Sequence, residues 1–84
     1  RVMIKVVVLV SGVNLISTID EVGSELGEPD CKLTKPFLIC EGNMLEPWLS
    51  DVTSADTFMM SSDKILTLTD PRPTILEKYE TLIK

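Results

Sequence analysis

Short β-strand signals follow one another along this chain, each stopped by glycine, serine or proline before it grows long. Residues 2–10 are almost wholly apolar and β-branched, Ser11-Gly12 turns the chain, and residues 15–22 resume an extended pattern. Near the other end, Phe58-Met59-Met60-Ser61-Ser62-Asp63-Lys64-Ile65-Leu66 repeats strand, tight turn and strand. Closely spaced strands with glycine and serine turns are what a small, strongly bent β-barrel requires. Barrels this small commonly serve as subunits of a larger assembly.

The alternation is informative strand by strand. Val2, Ile4, Val6, Val8 and Val10 fall on one face of the first segment, and Met3, Lys5, Val7 and Leu9 on the other. Both faces are largely apolar, so this strand is expected to be covered on two sides, one by the barrel interior and one by a neighbour. In the second segment, Leu15, Ser17, Ile19 and Glu21 alternate with Ile16, Thr18, Asp20 and Val22. Residues 23–30 read as a loop, with two glycines and a proline. Residues 31–35 resume a strand, which continues over 37–40. Pro36 between them has no amide to give a ladder, so it implies an edge position or a bulge. Residues 44–49 are extended but irregular around Pro47, residues 51–55 are polar, and residues 56–60 form a further strand. Ser61-Ser62-Asp63 then turns into residues 64–69.

Asp70-Pro71-Arg72-Pro73 ends the strands, since two prolines have no place in a central strand. Thr74-Ile75-Leu76-Glu77 fits a capping box, and Ile75, Leu76, Tyr79, Leu82 and Ile83 share one helical face. A short C-terminal helix laid on the barrel or on a neighbouring subunit is therefore expected. A helix this short is marginal alone and needs docking to persist. The division is a barrel over residues 1–70 with a helical extension of the same domain over 71–84.

Size and charge narrow the function. A chain of 84 residues makes one domain, burying roughly 60–65% of its unfolded surface. Its single core leaves association through a sheet edge as a source of further stability. The longest apolar run is interrupted by Lys5 and is too short to span a membrane, and no cleavage pattern follows it. The chain opens on Arg1 rather than Met, as expected of a processed start, a fragment or an altered sequence. Thirteen acidic against eight basic side chains give a net charge of −5. That balance opposes a sequence-independent grip on a nucleic-acid backbone, which relies on clustered Lys and Arg, while leaving room for a local site. Cys31 and Cys40 are too few for a disulfide scaffold, and their apolar surroundings favour buried free thiols in a reducing cytoplasm.

Taken together, these segments resemble the Sm/LSm family, small bent five-stranded barrels that assemble as rings and bind RNA. Val6-Val7-Val8-Leu9-Val10-Ser11-Gly12 and Leu15-Ile16-Ser17-Thr18-Ile19 are similar to its first motif. Met59-Met60-Ser61-Ser62-Asp63-Lys64-Ile65-Leu66-Thr67-Leu68 is similar to its second. The pattern is closest to Sm-like proteins of marine phage (cyanophage) and metagenomic type, which similarly show Leu-x-x-Pro in the third strand, here Leu33 to Pro36, then Pro-Trp and a Pro-then-Tyr tail. The chain departs from the family in three places. Ser61-Ser62 stands where the family has Arg-Gly, no Asp-x-x-x-Asn precedes Cys31, and the helix is C-terminal.

Catalysis has little to stand on. Histidine is absent, which removes the commonest general base and metal ligand. The cysteines lie nine apart with no second pair, and Gly23-x-x-x-Gly27 lacks a following lysine and precedes a strand. A non-enzyme without metal or cofactor is expected. The resemblance implies a homo-oligomeric ring joined through strand edges, with single-stranded nucleic acid, RNA before DNA, bound near its pore. The loops around Asp30 and Lys32 and around Ser61, Ser62, Asp63 and Lys64 would meet there. Serine hydroxyls and backbone amides would bond a base edge or phosphate, with Lys64 supplying charge. The alternative is a structural or adaptor ring that binds protein, favoured by the acidic balance and by Ser-Ser in place of Arg-Gly. A basic pore rim would mark the first, and an acidic one the second. Trp48 and the Met59-Met60 pair read as core or subunit contact.

Overall fold

The computed structural model describes residues 2–23 and 25–84; Arg1, which bears on how the chain begins, and Ser24 of the 23–30 loop lie outside the described residues. Six strands and a helix succeed one another: β1 (Val2–Leu9), β2 (Asn14–Glu21), β3 (Cys31–Ile39), β4 (Leu45–Pro47), β5 (Thr57–Met60), β6 (Ile65–Thr69) and α1 (Pro73–Leu82). Every pairing is antiparallel, in the order β4-β3-β2-β1-β6, with β5 also on β3. The protein is thus mainly β with a short C-terminal helix, as its sequence leads one to expect. A sixth strand arises because the stretch opposite β3 is broken by residues 48–56. β4 takes residues 37–39 of β3, and β5 takes residues 31–34.

Connectivity dictates the bend. β5 lies on one margin of the sheet and β6 on the other, yet only a 3-10 turn over residues 61–64 joins them. The four interstrand spacings between those margins would measure about 19 Å if flat, too far for so compact a turn. The sheet is therefore rolled, with no ladder between β5 and β6 among the described residues, so the barrel is bent but open.

The roll is helped by a bulge at Pro36, one of the two arrangements its missing amide implies. Ile16 faces Phe37 and Thr18 faces Thr34, so Ser17 alone opposes Lys35 and Pro36. Lys35 takes a left-handed φ of 51°. On the other side of β3 the ladder changes there from β5 to β4, so the missing proline donor falls where no strand demands it. Two contacts close the gap: the Lys35 amide donates to the Asp56 carbonyl at 2.6 Å, and the Trp48 amide to the Pro36 carbonyl at 3.0 Å.

Both faces of the sheet are covered. Inside the roll, Val7, Leu9, Leu15, Ile19, Cys31 and Leu33 form the main core, backed by Met3, Val13, Leu38, Trp48, Met60 and Ile65. Trp48 meets Phe58 edge-on with ring centres 5.6 Å apart. On the outer face, α1 buries Ile75 and Tyr79 against Ile16, with Ile4, Phe37, Ile39 and Leu45 around them. The alternation of β2 assigns these faces correctly, and Ser17 on the inner face is buried with its hydroxyl donating to the Thr34 carbonyl at 3.1 Å.

The helix start differs from expectation. Arg72 is the N-cap, with no side-chain cap bond, and Pro73 is the first helical residue. Thr74 lies inside the first turn and does not form a capping box with Glu77. Proline wins because its fixed φ is already helical and its missing amide is one the helix start leaves unpaired.

Candidate functional site

Asp30 ends the β2–β3 loop, and the 3-10 turn at 61–64 hands β5 over to β6. Met60 pairs with Cys31, so the turn begins beside the start of β3. There the Asp30 carboxylate accepts two hydrogen bonds from one residue, the Ser62 amide at 2.7 Å and the Ser62 hydroxyl at 2.8 Å. These bonds hold its carboxyl below the usual value, the hydroxyl contributing most and the amide next. Two further main-chain bonds fix the turn, from the Lys64 amide to the Ser61 carbonyl at 3.0 Å and from the Val10 amide to the Lys64 carbonyl at 2.9 Å.

The loop and the turn enclose a concavity of 570 Å³ lined by Glu25, Leu26, Gly27, Glu28, Asp30, Ser61, Ser62 and Asp63. Four carboxylates face it and none of its lining residues is basic. The structure thus brings together Asp30, Ser61, Ser62 and Asp63, four of the six residues singled out from sequence. The other two stand apart. Lys32 is exposed on β3 between Asp20 of β2 and Met59 of β5, on the face away from Cys31 and Leu33. Lys64, the last residue of the turn, is exposed and outside the lining. Glu25, Leu26 and Glu28 complete the wall; composition marks them only as loop, and nothing local signals that the loop folds toward residues 61–63.

Among the described residues no group of three or more His, Cys, Asp or Glu is placed to hold a metal ion. Cys31, next to Asp30, is buried and free, and its thiol is pushed up by burial first and then by the Asp30 and Glu21 charges, so it is a poor nucleophile. Cys40 is also free and pushed up, by desolvation and then Glu46.

The fold and this site define a small bent-sheet domain with a docked C-terminal helix and an acid-lined loop cleft. Its residues 2–84 match the model of a family of unknown function (DUF6561), and the chain belongs to that family. No curated protein matches it.

Proposed function

We propose that this chain is a non-catalytic, protein-binding subunit that assembles with copies of itself through the open sheet edges β5 and β6. The carrying observation is the apolar surface along those edges: Leu66 is 68% and Leu68 39% exposed on β6, and Met59 is 50% exposed on β5. An unpaired, apolar strand edge is a template for pairing with another chain. Joining β6 of one copy to β5 of the next is a head-to-tail contact, which closes into a ring when the rotation permits. The loop cleft supports protein over nucleic acid as its partner. Asp30 already takes the amide and hydroxyl of Ser62 that a base or phosphate would need, and four carboxylates repel a phosphodiester.

A second reading, single-stranded nucleic acid held at the ring centre, draws on one observation. The start of β3 and the 61–64 turn do meet, leaving the Ser61 hydroxyl and the exposed Lys64 at the same end of the molecule. The free thiols support a reducing compartment such as the cytoplasm, that of a bacterial host if the chain is of phage origin. Among the described residues no helix is long and apolar enough to cross a membrane.

Light scattering on the purified protein and anisotropy of labelled U-rich and A-rich RNA test both readings. The expected result is a defined multiple of the 9.3 kDa chain mass and no RNA binding at low salt. A monomer at every concentration sinks the assembly, and saturable RNA binding that depends on Lys64 establishes the second reading instead.

A further inference from the structure

At Lys35 and Pro36 the outer side of β3 passes from β5 to β4, and residues 48–56, which join those two strands, lie outside the ladder. Between them and the β3 bulge is a hollow of 300 Å³. The chain has only four aromatic side chains, and three of them, Phe37, Trp48 and Phe58, border this hollow. All three are half-buried, whereas the fourth, Tyr79, is fully covered between α1 and the sheet. Trp48 packs on the main core and meets Phe58 edge-on, so the two rings make an apolar corner.

Much of the remaining lining is polar. Ser50, Thr53 and Ser54 bring hydroxyls, and Lys35 and Asp56 bring one charge of each sign, paired with each other at 3.4 Å. Among the described residues no hydrogen bond is made by the Ser50 or Ser54 hydroxyl or by the Trp48 indole N–H. The main chain, by contrast, is engaged. The amides of Lys35, Trp48 and Thr53 donate to the carbonyls of Asp56, Pro36 and Leu49, and Pro36 and Pro47 have no amide to give. Recognition at this hollow therefore falls to side chains.

Backbone strain gathers at the same place. Of the three non-glycine residues with a positive φ among the described residues, Lys35 at 51° lines the hollow, and Leu49 at 62° links two residues that line it, Trp48 and Ser50. That conformation is costly for a bulky side chain. It is held by the Val52 and Thr53 amides, which both donate to the Leu49 carbonyl at 3.1 Å. Strain of this kind clusters where a fold holds side chains in place for a ligand.

We propose that this hollow is a binding site for a neutral saccharide unit. A pyranose ring carries C–H groups on its faces and hydroxyls at its rim, so it matches an apolar aromatic corner joined to a hydroxylic wall. Each sugar hydroxyl both donates and accepts, and so meets the Lys35 ammonium and the Asp56 carboxylate alike. A cation would face Lys35 and an anion Asp56, so a net charge on the ligand gains nothing here. The volume stands at the lower end of the range of about 300–1,000 Å³ typical of small-molecule sites, which suits a single sugar ring better than a length of peptide. A free sugar and a glycan chain present the same unit, and the test distinguishes them. The proposal does not depend on assembly through β5 and β6.

Trp48 is the only tryptophan, so its emission reports on the hollow. The full chain is titrated with neutral hexoses, N-acetylhexosamines and their linear oligomers, each followed by Trp48 emission and by saturation-transfer NMR of the sugar. Concentrations reach about 10 mM, which fills about nine-tenths of a site with a Kd of about 1 mM. Expected is saturable binding of at least one of these sugars, with an affinity that hardly responds to salt. Ser54 and Asp56 are exposed, so Ser54→Ala and Asp56→Asn keep the wild-type circular dichroism. Each should weaken binding roughly two- to tenfold, the usual effect of one hydrogen bond. Lys35→Gly should also bind more weakly while being no less stable, which separates a lost contact from a lost fold. Equal affinity for a monosaccharide and its oligomer makes the single ring the ligand, and tighter binding of the oligomer makes it a glycan chain; both bear the proposal out. It is overturned by the absence of any signal across the panel at about 10 mM, or by sugar binding indifferent to all three variants. Binding of choline or of a proline-rich peptide at this hollow, with no sugar bound, would overturn it as well.

Discussion

The Tyr79 hydroxyl stands among main-chain groups that the β3 bulge has separated from their ladder partners. It accepts from the Thr18 amide at 2.8 Å and lies 2.9 Å from the Lys35 carbonyl and 3.1 Å from the Thr34 carbonyl, to which it donates. Its ring meets Phe37 edge-on at 5.8 Å. Tyr79→Phe keeps the ring and removes only the oxygen, leaving the buried Thr18 amide without its acceptor. The expected loss is about 1–3 kcal/mol, read as a lower urea midpoint with an unchanged denaturant slope. Asp30 makes a different prediction. Its folded carboxyl is held below the ordinary 3.8 by Ser62, so the folded protein binds this proton less readily than the unfolded chain. The stabilisation is therefore fully present above that ordinary value and is lost as pH falls through the lower folded one. Urea unfolding across the acid range should show wild type losing stability more steeply below pH 3.8 than Asp30→Asn, which keeps an acceptor but does not titrate. Glu25, Glu28 and Asp63 border the same cleft in both proteins, so the difference between them isolates Asp30.

At the scale of elements, what alternation and proline encode was readable, and what depends on distant encounters was not. Period-two spacing groups Val7 with Leu9 and Leu15 with Ile19 on shared faces, and Pro36 implies an edge position or a bulge because a missing donor has few places to go. Tyr79 could be placed on the apolar face of a helix, but its bond to Lys35 crosses 44 residues of sequence and has no local signature. The same holds for the candidate site. Asp30 and Ser62 were named separately, yet their mutual bond, which removes both from ligand duty, spans 32 residues. The bulge itself makes a prediction. Lys35 holds a left-handed φ of 51° that costs an L-residue roughly 1–2 kcal/mol, and its ion pair with Asp56 at 3.4 Å is exposed and contributes little. Lys35→Gly relieves the backbone at the cost of a more mobile unfolded chain, about 0.5–1 kcal/mol. A gain of up to about 1 kcal/mol is expected in urea unfolding, whereas Lys35→Val, branched at Cβ, should lose stability in the same assay.

The whole molecule sets its charge against its edges. Each copy carries a net −5, so any assembly of identical copies gathers like charge. In the assembly proposed above, attraction comes from the apolar margins of β5 and β6 and from the main-chain bonds they would form. Repulsion between exposed charges is screened over a Debye length of about 10 Å at 0.1 M salt and about 3 Å at 1 M. The apolar attraction is not weakened by that screening. Self-association should therefore tighten as salt rises, whereas capture of a nucleic-acid backbone loosens because each neutralised phosphate releases counterions. The opposite signs separate the two readings in one experiment. Sedimentation velocity at about 0.05 M and about 0.5 M salt should show the oligomer fraction growing, a range over which backbone-driven RNA binding would collapse. Leu66→Lys supplies the control. Leu66 is the extra residue opposite the register shift between Val8 and Leu9, and its exposed side chain has little packing to lose in the monomer. The substitution adds a charge to the β6 edge of the kind that blunts edge pairing. It should return the protein to a monomer with the wild-type circular dichroism at either salt concentration. An oligomer that survives Leu66→Lys, or one that dissociates as salt rises, would place the contact somewhere other than the β6 edge.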